Sequence, residues 1–218
     1  MQAGQKGYGL NSLQNALFPF DEMYITQGEN TGSSHVGMDA IDFVGWNPNT
    51  GQIYNYPYYA PFDCKLVAYF YEMIVWESLN PVNRIDGTTG IVTIGFGHDN
   101  DRSLPVGTIK YQGDLIGHTG TYSSGGGSVG DHCHMEVVNG TYAGFEVVPA
   151  TGYYKMKNSV HIYNYLGVND TTIYRGLNYN WRSFANNTPT PPTPPVPPTT
   201  RTCKFPWVLF ARKFRERR

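Results

Sequence analysis

An all-β domain is the architecture this sequence predicts, and three observations carry that prediction. Charged residues make up only 15% of the chain, aromatic residues reach 15% with 17 Tyr among them, and 25 glycines are spread through it. Aromatic and β-branched side chains pack on pleated surfaces and Gly supplies turns, whereas a helical bundle needs more charge than this. A hydrophobic content of 40% excludes disorder throughout. A length of 218 residues fits one domain with a small appendage.

In order along the chain, short β-rich apolar runs at residues 23–27, 40–44, 65–76, 90–96, 114–116 and 133–138 read as strands. Turn clusters separate them at 28–34, 47–51, 99–103 and 122–130; the last, YSSGGGSVG, opens directly into the 131–138 strand. Residues 153–184 are aromatic and irregular, and either pack on the main sheet or form a small satellite. Residues 188–200 hold seven prolines in thirteen positions and read as a polyproline II spacer. The predicted organisation is therefore a domain over 1–187, a Pro/Thr-rich linker over 188–200 and a basic tail over 201–218.

The net charge of −1 gives no field for nucleic acid. The tail is nevertheless basic, with seven Lys/Arg against one Glu. If helical from Pro206, the tail places Trp207, Phe210, Ala211 and Phe214 on one face, which suits a membrane surface or a protein partner; a frayed basic terminus is the simpler alternative. Cys64, Cys133 and Cys203 are scattered and odd in number, which is not a disulfide framework. The first sixteen residues lack a hydrophobic run, so no signal peptide is expected, and no stretch approaches the roughly 18 apolar residues of a spanning helix.

The chemistry points to histidine. His132 and His134 lie two apart on a strand, so their imidazoles share a face while Cys133 points away. His35 and Asp39 stand four apart in SSHVGMDAIDF. Neutral imidazole and carboxylate are suitable zinc ligands, and three of them would leave an open position for chemistry. Either pair alone is a weak signal. Together with the runs from Tyr59 (YAPFDCKLV), from Gly113 (GDLIGHTG) and from His132 (HCHMEV), in that order, they resemble the lysostaphin/LytM-type zinc metallopeptidases, which cut peptide bonds in bacterial peptidoglycan. The resemblance covers roughly residues 25–150.

That resemblance implies antiparallel sheets forming a narrow groove, Zn²⁺ as cofactor and peptidoglycan peptides as partners. It places metal ligands at His35, Asp39 and His134, and catalytic histidines at His98 and His132. With no signal peptide, such a protein is expected to be made in the cytoplasm and to reach the wall after holin-type release, as a phage endolysin, or as a virion component. Departures from the family pattern are Cys133 for Leu, Met135 for Phe, Cys64 for Gly and Phe96-Gly-His98-Asp99 for the usual Tyr-x-His-Leu. A rival alignment to D-alanyl-D-alanine dipeptidases and carboxypeptidases uses Ser33, His35, Asp42 and Asp131-x-x-His134; it makes Asp42 the ligand and leaves His98 and His132 idle. A non-catalytic wall-binding or structural virion module is the alternative of another class, disfavoured by the complete set of five residues. Tyr54, Tyr56, Tyr58 and Tyr59 are candidates for substrate contact, as is the 122–130 loop for a groove wall.

Overall fold

A computed structural model describes residues 1–127, 129–168, 173–176 and 181–184. The linker at 188–200, the tail at 201–218 and Cys203 lie outside the described residues.

The first strands are β1 (Glu22–Gln27), β2 (Ala40–Asn47), β3 (Gly51–Ile53), β4 (Pro57–Tyr59), β5 (Cys64–Phe70), β6 (Met73–Ser78), β7 (Val82–Asn83) and β8 (Thr89–Gly90). They are followed by β9 (Val92–Gly97), β10 (Ile109–Lys110), β11 (Leu115–His118), β12 (Cys133–Asn139), β13 (Phe145–Val147), β14 (Tyr154–Met156), β15 (Ser159–Val160) and β16 (Ile173–Gly176). A single 3-10 turn, Ile162–Asn164, is the helical element among the described residues. The chain is all-β and its sheets are antiparallel, as expected, apart from the parallel β1–β16 pair.

Ten strands make one sheet, ordered β10-β5-β6-β9-β12-β2-β1-β16, with β3 paired to β2 and β15 to β12. Its core face carries Ile74, Phe96, Met135 and Ile41, which stand in register across β6, β9, β12 and β2. They pack with Phe18, Phe20, Phe43, Tyr58, Phe62 and Trp76 in the main hydrophobic core. Burying side chains of this size stabilises by about 1.5–3 kcal/mol each. Alternation sends the intervening residues to the other face, where Met73, Gly97, His134 and Asp42 form the matching row. One face therefore builds the core and the other builds the site.

One sequence expectation changes, and one open alternative is decided. The run at 65–76 is not one strand but the β5–β6 hairpin, turned at Tyr71 with φ 46°. No Gly or Pro marks that turn, so the apolar pattern runs straight through it. Of the 153–184 region, the described residues pack on the main sheet: β14 pairs β13 over the site face, β15 pairs with β12, and β16 pairs with β1. Trp181 meets Phe18 edge-on at 4.5 Å between centroids.

Candidate metal centre and cleft

β12 and β2 lie side by side with His134 directly opposite Asp42. Ile41 and Phe43 point into the core, so Asp42 must point to the site face. His35 sits in the turn that leads into β2 and is almost wholly buried, at 1% exposure. Three donor atoms converge there. His35 Nε2 and His134 Nδ1 are 3.1 Å apart, and Asp42 Oδ1 lies 3.2 Å from the first and 3.0 Å from the second.

The outer nitrogens of both rings are already committed. His35 Nδ1 donates to the Gly28 carbonyl at 3.1 Å, and His134 Nε2 donates to Glu136 Oε1 at 3.2 Å. Those bonds put the protons on the outer nitrogens, so two imidazole lone pairs and a carboxylate oxygen face one another. Three acceptors at this spacing repel unless a cation, either a proton or a metal ion, sits among them. Zinc bonds of about 2.0–2.2 Å at tetrahedral angles place donors roughly 3.3–3.6 Å apart, within a few tenths of an ångström of what is seen. The outer carbonyl and carboxylate are the orienting partners that metal-bound histidines need. The residues present therefore fit such an ion.

Electrostatics agree. Burial alone would raise the Asp42 carboxyl, but hydrogen bonds with His134 and His35 outweigh it and hold it well below the usual carboxylate range. Burial opposes charge on His134, yet Asp42 and Glu136 outweigh that and raise its pKa to about 10. Without a metal ion, the cation in this pocket is a proton on His134.

Asp39 is elsewhere. Its carboxylate approaches His161 Nδ1 at 3.4 Å, and His161 also binds Glu29 at 2.6 Å. Position 39 precedes β2 and misses the site face, whereas position 42 is on it; the carboxylate brought to the two histidines is thus Asp42 and not the expected Asp39. The rival alignment had singled out Asp42, but its other acid, Asp131, is bound to Thr119 and to the Asn55 amide instead.

Beside the triangle stand His98 and His132, with ring centroids 4.3 Å apart; His98 is 6.4 Å from His134. Each donates Nδ1–H to a main-chain carbonyl: His98 to Tyr122 at 2.9 Å and His132 to Gly130 at 2.7 Å. Each Nε2 is left with a free lone pair. His98 has φ 72°, the left-handed region that a non-glycine residue adopts only when held there. The holding contacts are the Tyr122 carbonyl and amide together with the close approach of Gly120, where a Cβ would fall 2.3 Å from the His98 carbonyl oxygen. Burial, and then the neighbouring His132, lower the His98 pKa to about 4.

All five imidazole and carboxylate groups line or underlie one cleft of about 680 Å³. β9 presents Gly95 and Gly97 to this face, and their lack of side chains makes room for Met73, Met156 and His134, which pack directly over them. A Cβ at Gly97 would lie 3.0 Å from His134 Cβ and 3.2 Å from Met73 Sδ. The walls are the β5–β6 hairpin tip, the β13–β14 hairpin and the Gly-rich loop after Tyr122, with Ser123, Ser124 and Gly125 facing inward. The aromatic residues lining it are Phe70, Tyr71, Phe145, Tyr153 and Tyr154. The tyrosines singled out from the sequence are not among them: Tyr58 is fully buried against Asp99, and Tyr56 binds Asp21. Buried Cys133 faces the core, where burial pushes its thiol up, so it supplies no thiolate.

Glu136 is the site residue sequence reasoning missed, and Asp42 is the one it offered only through the rival alignment. Alternation along β2 and β12 was the available signal, since both acids stand at site-face positions in otherwise apolar strands.

No family model matches the chain. A curated relative, Morphogenesis protein 1 of Bacillus phage B103, is 38% identical over 184 residues, covering 81% of this chain and 46% of the relative. The chain thus spans about half the length of that relative. Among solved structures, a zinc-containing peptidase from Vibrio cholerae is similar with a TM-score of 0.39 and 15% identity, over 69% of this chain and 44% of that one. The catalytic domain of lysostaphin from Staphylococcus simulans is similar with a TM-score of 0.37 and 17% identity, over 56% of this chain and 84% of that one.

Proposed function

We propose that this protein is a zinc-dependent endopeptidase that hydrolyses peptide bonds of bacterial peptidoglycan, with His35, Asp42 and His134 as ligands and His98 and His132 as catalytic residues. One observation carries the reading: three converging acceptors with their outer N–H groups satisfied lie beside a second histidine pair whose Nε2 lone pairs are free. Bound zinc supplies Lewis-acid polarisation of the scissile carbonyl and acidifies water toward a pKa of about 7.

The chain's own groups do the rest. His98, whose pKa is about 4, stays neutral near neutral pH and holds an acceptor at Nε2. His132, held in the same tautomer by Gly130, presents a second. The pair can take a proton from water at one Nε2 and return it to the leaving amine, a service worth about 10²–10⁴-fold in rate. The aromatic walls offer a peptide an apolar surface beside the ligands. The sequence resemblance to lysostaphin-type enzymes supports peptidoglycan as substrate. The relative's name, a phage morphogenesis protein, favours a wall-cutting virion component over a free endolysin.

Purified sacculi incubated with the protein should release peptide fragments with new amino termini, detected by mass spectrometry, and a chelator should stop the release. His134→Ala should lose zinc, whereas His132→Ala should keep zinc and lose at least about 100-fold in rate. Absence of fragments, or equal zinc loss in both variants, overturns the reading.

A further inference from the structure

The cleft lining has a charge pattern that the hydrolytic residues do not explain. Among the described residues that line it there is no Lys or Arg, and the acids are Asp42 and Glu72. Asp42 is committed to two imidazoles. Glu72 follows Tyr71 at the hairpin tip, and its carboxylate accepts a hydrogen bond from Ser124 Oγ at 2.9 Å across the cleft mouth. An ionised carboxylate has about four acceptor sites, and among the described residues this hydroxyl is its one hydrogen-bond donor, which leaves most of that capacity unused. Arg102 does not neutralise it: its guanidinium donates to the main-chain carbonyls of Glu72 and Met73 and lies over the Tyr69 and Tyr122 rings.

Next to this carboxylate is an exposed aromatic surface. Tyr71 and Tyr154 stack at 5.2 Å with 20° between their planes, and Phe70 stacks on Phe145 at 4.2 Å and 10°. Tyr71 is 53% exposed, Tyr153 56% and Tyr154 44%. Stacked rings left open to water beside an under-used carboxylate suit a ligand with an apolar stem and a cationic tip: the stem lies on the rings, and the ammonium meets the ring faces and the carboxylate.

Building on the peptidase reading, we infer that Glu72, with Tyr71 and Tyr154, forms a specificity subsite for a substrate residue carrying an aliphatic stem and a terminal ammonium. An acidic side chain at the same place would face Glu72 without a counter-ion and is selected against.

The test uses binding, so that it does not depend on turnover. Two synthetic peptidoglycan stem peptides, identical except that one lysine ammonium is free or acetylated, are titrated calorimetrically into zinc-loaded His132→Ala protein and into the same protein carrying Glu72→Gln. The free-ammonium peptide should bind the first about tenfold more tightly, the sum of a partly exposed ion pair and a cation–π contact. That preference should fall to within about twofold in the second, and in the first it should shrink as ionic strength rises. Equal binding of the two peptides, a preference that survives Glu72→Gln or high salt, or no binding of either peptide overturns the subsite. Sacculus digestion by the unmodified protein, run in parallel, reports on the hydrolase itself, so either idea can fail while the other stands.

Discussion

Replacing Asp42 and Asp39 one at a time separates the two carboxylates that the sequence leaves in competition. Asp42 Oδ1 is 3.0 and 3.2 Å from the two imidazole nitrogens, whereas the Asp39 carboxylate lies 3.4 Å from the half-exposed His161. A unit-charge pair 4 Å apart is worth about 4 kcal/mol at an effective dielectric of about 20. A dication at bonding distance from a carboxylate gains several times that, against a desolvation cost of several kcal/mol for the acid. The surplus makes a loss of at least about 100-fold in zinc affinity, or about 2.8 kcal/mol, the conservative expectation for Asp42→Ala. Asp39→Ala should change affinity by no more than about threefold. Competition against a chromophoric chelator gives both affinities, and metal content after dialysis checks them. Zinc loss in the Asp39 variant with retention in the Asp42 variant would refute the placement of the centre on β2.

Glu136→Gln keeps the size of the residue that receives His134 Nε2–H but removes its charge, and zinc affinity should fall by about 10–100-fold in the same chelator assay. Gly97→Ala forces a methyl against His134 Cβ at 3.0 Å and should cost about 1–3 kcal/mol in urea unfolding, with a distorted metal site. In the metal-free protein, against the opposing effect of burial, the Asp42 and Glu136 carboxylates raise the pKa of His134 to about 10 when folded, from an ordinary value of 6.5. That contribution to stability is therefore complete below about pH 6.5 and lost as pH rises toward 10; the zinc-loaded protein should lack this decline, as melting curves across the range would show.

How far the sequence could be read depended on which physical signal each residue offered. His132 and His134 were legible because a two-residue period on a strand admits one geometry. The strand runs were legible for the same reason, and the all-β class followed. Asp42 was harder. Counting from His35 offers two carboxylates, and the choice depends on where β2 begins, which ladder pairing with β12 decides rather than any local propensity. The hairpin at Tyr71 was hidden because a non-glycine residue takes the left-handed turn within an unbroken apolar run, so the aromatic wall and Glu72 beside it could not be placed. The four tyrosines from Tyr54 to Tyr59 were candidates for substrate contact, yet Tyr58 is buried and bound to Asp99, a contact 41 residues away in sequence.

The division of labour across the large sheet has an evolutionary corollary. Asp42 and His134 are cross-strand neighbours at the middle of a ten-stranded ladder, and His98 stands one residue past the end of β9. Shifting any of them means re-registering strands that also hold the core. The surfaces that would meet a ligand come instead from a hairpin tip, a second hairpin and a glycine-rich loop, where substitutions leave the ladder intact. Such a scaffold can retarget what it accepts by exchanging its periphery while its reactive centre stays frozen.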